Sequence, residues 1–245
     1  MTDSDARLAE CLVAATAHML TTLRDSALLQ GAALGDAGDR IAQDFIAAGL
    51  AAQRPGDGLL SEEGGRDLAR LDKSRVWIVD PLDGTREFSE GRTDFAVQVA
   101  LAVDGTASVG AVAMPALGLV YSSAAPPPLP RHAQPFILVS RTRPPPVAAL
   151  AAAAMGVTLL PMGSAGAKVM AVLRGEGRAY IHAGGQHEWD SAAPIAVAAA
   201  AGLHVSRLDG TPLRYNRPDP TLPDLLVARP EDAPFLLDFL RRTPP

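Results

Sequence analysis

The 245-residue chain has one cysteine, Cys11. A single thiol cannot build an intramolecular disulfide framework or a cysteine-based zinc site, and it fits a reducing, cytoplasmic setting. Long hydrophobic runs are also missing. The longest, residues 147–160, contains Gly156 and Thr158 and stops at Pro161. It falls short of the ~20 residues of a membrane span. The first residues are acidic where a secretion signal would be basic. There is no basic run, and Lys+Arg 22 against Asp+Glu 27 leaves a net charge of −5, a poor footprint for a nucleic-acid polymer. An EF-hand loop is absent. An anionic substrate would need something other than net charge to hold it, and a bound cation is the obvious candidate.

What is present is ordinary for a globular chain: 48 % apolar and 20 % charged residues, at a length that can bury a sizeable core. Gly 22 and Pro 21 point to many strand–turn–helix junctions. Leu8, Leu12, Ala15 and Met19 recur at helical spacing and predict a helix over 5–24. A second is predicted over 39–50, with Asp36 and Asp39 as cap material. The apolar run 76–79 reads as a strand closed by Asp80-Pro81. Segments 95–103 and 109–113 read as a hairpin around Asp104-Gly105, followed by a strand at 117–122. Residues 124–135 hold five prolines in twelve positions and read as an extended loop. Beyond them strands (136–139, 157–160, 179–181) alternate with helices (146–155, 165–173, 191–201). The expected organisation is an N-terminal half, 1–123, a Pro-rich loop, 124–135, and a C-terminal half, 136–245.

The chemistry concentrates in Asp80-Pro-Leu-Asp83-Gly-Thr-Arg-Glu-Phe88. Pro81 stiffens the turn, which can converge two carboxylates and a carbonyl on one point. Hard oxygen ligands of that kind suit Mg²⁺. Gly84 admits a close ligand, and Thr85 and Arg86 stand at a helix start, where an anion is favoured. Taken singly, Asp83 reads equally well as a helix cap, Glu62-Glu63 as solvated surface, and Asp190 and Asp39 as further caps. Four acidic positions thus sit at element junctions, and the sequence alone does not show that they meet. Cys11, Trp77 and Trp189 read as packing residues. His187 and Glu188 read either as solvated loop residues or as substrate-facing ones.

The segments Ser61-Glu62-Glu63, Asp80-Pro-Leu-Asp-Gly-Thr85, Gly163-Ser164 and Trp189-Asp190-Ser-Ala-Ala193 resemble those of the inositol monophosphatase superfamily, in order and spacing. Arg86-Glu87-Phe88 resembles its 3′(2′),5′-bisphosphate nucleotidase (CysQ-like) branch. The resemblance covers about residues 5–230. It implies a layered α+β or α/β fold of alternating αβαβα layers. It also implies a lithium-sensitive phosphomonoesterase with two or three Mg²⁺ ions, held by Glu62, Asp80, the Leu82 carbonyl, Asp83 and Asp190. Thr85 would sit beside Glu62 and orient the attacking water, and Asp39, at its helix start, would hold a further metal or its water. Asp83, Gly84, Thr85, Arg86, Ser164, Lys168, His182 and Asp190 would line the substrate. Lys168 would face the second phosphate, with Arg141, Arg143 or His182 assisting.

The implied reaction is hydrolysis of the 3′-phosphate of 3′-phosphoadenosine 5′-phosphate, and of its phosphosulfate as a second substrate, in sulfate assimilation or nucleotide turnover. Inositol phosphate, fructose 1,6-bisphosphate or histidinol phosphate on the same scaffold is the alternative. A metal-binding protein with a dead site would have lost a ligand, and every matched ligand is present. The implied partner is a small phosphorylated nucleotide, acted on by a monomer or homodimer.

Overall fold

The computed structural model describes residues 3–64 and 67–243. The first helix, α1 (Asp3–Asp25), buries Ala9, Leu12, Val13, Thr16 and Leu20 at helical spacing. Cys11 lies on the opposite face and is exposed, which corrects the expectation of a packed thiol. The second helix, α2 (Gly31–Gln53), begins well before the predicted start. Asp39 is therefore a mid-helix residue and caps nothing.

A five-stranded sheet follows: β1 (Gly58–Ser61), β2 (Arg75–Asp83), β3 (Ala96–Val103), β4 (Thr106–Met114) and β5 (Leu119–Ser122), in that spatial order. The β1–β2 pair is parallel and the others antiparallel. Asp104 and Gly105 both take positive φ (49° and 74°) at the β3–β4 turn, as a two-residue hairpin requires. A short helix, α3 (Thr85–Ser89), closes β2.

The second sheet is built from β6 (Phe136–Ser140), β7 (Thr158–Met162), β8 (Ala179–His187), β9 (His204–Ser206) and β10 (Thr221–Ala228), ordered β7-β6-β8-β10-β9. Its helices are α4 (Pro146–Met155), α5 (Ala165–Leu173), α6 (Ala192–Ala200) and α7 (Ala233–Arg242).

Strand alternation builds the layers. On β2, Trp77 and Val79 face α1 and α2, whereas Val76 and Ile78 face α5 and α6 between the sheets. Sheet two adds Tyr180, Leu225 and Val227 to that middle layer. Its other face, with Ile137, Val139 and Leu226, is covered by α4 and α7. The result is the αβαβα layering that the resemblance implies. Among the described residues no helix is long and apolar enough to cross a membrane.

Candidate active site

The strand predicted to end at Val79 runs on through Pro81 to Asp83. Asp80 pairs with Gln98 and Asp83 with Ala96, so three steps on β2 match two on β3. One residue is extra, which makes a β-bulge. In a regular strand, positions three apart face opposite ways. The bulge removes that offset and lets Asp80 and Asp83 share a site.

Asp190, at the turn between β8 and α6, completes a trio. One carboxylate oxygen from each of Asp80, Asp83 and Asp190 lies within 4.8 Å of the others. Glu62, just past β1, stands beside Asp80, and each carboxyl acts on the other. Burial and mutual repulsion raise all four groups. Burial, then Asp190 and Asp83, hold Glu62 at about 7. Burial and Asp83 hold Asp190 at about 7. Burial lifts Asp80 well above the carboxylate range, followed by Asp83 and Glu62. Burial also raises Asp83, against the hydrogen bonds it accepts. Crowded carboxylates that resist ionisation are what a divalent cation relieves. The donor set is all oxygen, which suits a hard cation.

Asp83 is itself pinned. Its Oδ2 accepts from Ser164 Oγ and from the Gly166 N–H, each at 2.7 Å, and from the Gln98 amide. Its Oδ1 accepts from the Ala165 N–H at 3.2 Å. It therefore caps α5, not its own following helix. Ser164 is the formal cap of α5, accepting from Ala167 N–H, and holds φ at 40°. Gln98 was missed from sequence. A lone polar residue inside the apolar run 95–103 was the available signal.

Thr85 Oγ1 lies 3.1 Å from Asp39 Oδ1 and 3.2 Å from the Leu82 carbonyl. Its carboxylate hydrogen-bond partner is Asp39. Gly35 makes this possible, because a Cβ there would stand 2.9 Å from Thr85 Cγ2. Asp39 is raised to about 6, by burial and then by Glu63 and Asp36, against the Thr85 hydrogen bond.

A cavity of about 180 Å³ opens beside the trio, with Asp83, Gly84, Ser164, Lys168, His182 and Asp190 on its walls. Arg86 does not reach it: its side chain is exposed and faces Glu90 at 3.6 Å. Lys168 borders the cavity but is 4 % exposed. Its ammonium donates to the carbonyls of Ser164 (2.6 Å), Gly163 (2.9 Å) and Met162 (3.4 Å), and it lies over the Tyr180 ring. It is not the free cation expected for a second phosphate. Arg141 is engaged as well, with Glu87 and Glu90.

Glu188 is neither solvated nor facing the cavity. It is fully buried and accepts from the backbone N–H groups of Asn216 and Arg217. His187 stacks on Trp189, with ring centroids 4.5 Å apart, and its backbone N–H donates to Asp190 Oδ2 at 2.7 Å. Trp77 packs as expected and donates to Asp57.

Comparison with known proteins gives a consistent result. The pattern of the inositol monophosphatase family matches residues 29–128 and 131–234. The 3′-phosphoadenosine 5′-phosphate phosphatase of Mycobacterium leprae is 47 % identical over 256 residues, covering 97 % of this chain and 94 % of that one. The protein of the same name from Mycobacterium bovis is 54 % identical over 217 residues, covering 83 % and 80 %. Among solved structures, CysQ from Bacteroides thetaiotaomicron superposes with a TM-score of 0.80 at 27 % identity, covering 92 % and 97 %.

Proposed function

The chain belongs to the inositol monophosphatase family, and within it we propose a Mg²⁺-dependent phosphatase that removes the 3′-phosphate of 3′-phosphoadenosine 5′-phosphate. The observation that carries the reading is the carboxylate trio at one end of a cavity whose other walls bear Lys168, Arg141 and Arg143. A phosphomonoester needs positioning and charge neutralisation more than covalent chemistry. Relatives of similar length at 47 % and 54 % identity, named for this substrate, support it. The reading extends to the 5′-phosphosulfate analogue as a second substrate, because it presents the same 3′-phosphate to the trio. A small nucleotide phosphate handled by a single-cysteine chain suits the cytoplasm, in sulfate assimilation or nucleotide turnover.

Glu62, Asp80, Asp83, Asp190 and the Leu82 carbonyl would hold two or three Mg²⁺ ions. Such ions, when bound, acidify a coordinated water and neutralise charge on the leaving oxygen. The protein's own groups do the rest. Thr85 Oγ1 has one proton, which it gives to Asp39 or to the Leu82 carbonyl, and its lone pairs accept from the attacking water. Asp39, raised to about 6, is poised to take that water's proton near neutral pH. Ser164 and Gly84 border the phosphoryl group. Lys168 pins the Gly163-Ser164 loop from beneath and contributes positive charge without direct contact.

A phosphate-release panel tests this. With Mg²⁺, adenosine 3′,5′-bisphosphate should be cleaved with a higher kcat/KM than inositol 1-phosphate or fructose 1,6-bisphosphate, and excess chelator should abolish release. A faster reaction on inositol 1-phosphate would move the chain to the sugar-phosphate branch. Full activity in chelator would sink the cation role of the trio.

A further inference from the structure

Glu188 stands outside the chemistry proposed above. It directly precedes Trp189-Asp190 and is fully buried. Its carbonyl accepts from the N–H groups of Ser191 (3.3 Å) and Ala192 (2.9 Å) at the start of α6, and its own N–H donates to the Pro220 carbonyl at 2.8 Å. Its carboxylate accepts from the backbone N–H groups of Asn216 (2.5 Å) and Arg217 (2.9 Å). Glu188 therefore holds the turn that carries Asp190 against residues 216–220.

The same loop is gripped from the first sheet. Arg70, in the 3₁₀ turn Leu68–Asp72, is 3 % exposed. Its Nη1 donates to Asn216 Oδ1 at 2.5 Å and its Nη2 to the Arg217 carbonyl at 2.8 Å. Asn216 Nδ2 donates back to the Arg70 carbonyl at 3.2 Å. Asn216 holds φ at 59°, a backbone that asparagine tolerates better than most residues. It serves Glu188 with its N–H and Arg70 with its side chain. Arg70 is in turn seated on β1: a Cβ at Gly58 would stand 3.1 Å from Arg70 Cβ, and Gly58 opens the strand that ends beside Glu62.

A chain of contacts thus runs from β1, through Arg70, Asn216 and Glu188, to the turn of Asp190. Its ends are the two sides of the cation site, since Glu62 follows β1 and Asp190 lies between β8 and α6. The carboxylates gathered there repel one another, and without a cation that repulsion pushes the two sides apart. A buried ionic network adds little net stability compared with apolar packing, but its bonds are directional and fix a distance. Ligands held in advance bind an ion more tightly, because less ordering is left for the ion to impose.

We propose that Glu188, Asn216 and Arg70 are positioning residues, a strut that sets the span between Glu62 and Asp190 before the cation arrives. The inference rests on the reading of Glu62, Asp80, Asp83 and Asp190 as cation ligands.

Ion binding tests it without turnover. Mn²⁺ suits the same oxygen donors as Mg²⁺, and its free form is counted by electron paramagnetic resonance. Asn216→Gly cuts the strut at its middle while tolerating the positive φ and keeping the N–H to Glu188. It should raise the Mn²⁺ Kd of the full chain by about 2- to 30-fold, the range of coupling through a contiguous network. Arg70→Met should do the same, and the double variant should be no worse than either single one. Asn216→Asp, which keeps the Oδ1 acceptor, should recover most of the affinity. In turnover, saturating Mg²⁺ should bring kcat of Asn216→Gly back to within a few-fold of the wild type. Leu236→Ala, in the layer under α7, controls for general loosening: its Tm should fall and its Mn²⁺ Kd should not change. Strut variants with the wild-type Kd, whatever their Tm, would overturn the strut alone. So would an equal loss of affinity in Leu236→Ala, or additive losses in the double variant. A wild type that binds no Mn²⁺ would overturn the cation reading and the strut together.

Discussion

Asp83 Oδ2 accepts the Gly166 backbone N–H at 2.7 Å across 83 residues of sequence. One carboxylate thus caps a helix of the second half of the chain while standing in the trio contributed by both halves. Asp80 has no such duty. Among the described residues its Oδ1 accepts the Leu82 N–H, at 3.2 Å.

The two aspartates should therefore respond differently to amidation. Asp80→Asn and Asp83→Asn should both abolish most phosphate release. Asp83→Asn should in addition turn an N–H donor toward the donors of α5. Losing one charge-assisted bond costs about 1.5–3 kcal/mol, which at this chain length is a Tm drop of about 3–12 °C. Asp80→Asn replaces a buried carboxyl that already resists ionisation and should leave the cation-free Tm unchanged or higher. Thermal unfolding without Mg²⁺ checks this; an Asp83→Asn protein as stable as the wild type would show the cap to be idle.

Stability of the cation-free protein should fall as pH rises from about 4 to 7. Glu62 and Asp190 sit at about 7, and Asp39 at about 6, all above their ordinary values. The folded state then binds more protons than the unfolded one across that window, so raising pH favours unfolding. On the proposed reading, Mg²⁺ would replace those protons. Its stabilising shift in Tm should be larger at pH 8 than at pH 5, and calorimetry near pH 6.5 in two buffers should register proton release. Asp190→Asn should flatten the trend. A Mg²⁺ shift independent of pH would contradict the placement of these groups around the cation.

The Thr85–Asp39 contact should carry rate more than affinity. Thr85→Val removes the hydroxyl at constant shape and should lower kcat by about 10²- to 10⁴-fold, the range of a positioned proton acceptor. KM should stay within a few-fold, and Thr85→Ser should recover most of the rate. Asp39→Asn should match the valine variant. A Thr85→Val enzyme with unchanged kcat would leave the water without its proposed acceptor.

Local chemistry announced much of this protein. The apolar run of β2, the Asp104-Gly105 turn, the period of α1 and the helices α4, α5 and α6 all follow from short-range pattern. The acidic residues at element ends, with the spacing of Asp80-Pro-Leu-Asp83-Gly-Thr85, were enough to bring the family and its chemistry into view. Strand β10 gave no such signal, because Pro223 and a register shift between Leu222 and Asp224 break its alternation. The strand's passage through Pro81 was hidden in the same way, since a bulge is a property of two paired strands and β3 supplies the other half. Which cations are free was also invisible. Arg141 and Glu87 lie 54 residues apart, and Lys168 spends its donors on carbonyls that only the turn before α5 brings beneath it. Residue identity and local spacing determined which groups could bind a cation and a phosphate; the packing of the two sheets around α5 and α6 decided which charges are spent, because a hydrogen bond or ion pair depends on distance in space and not along the chain.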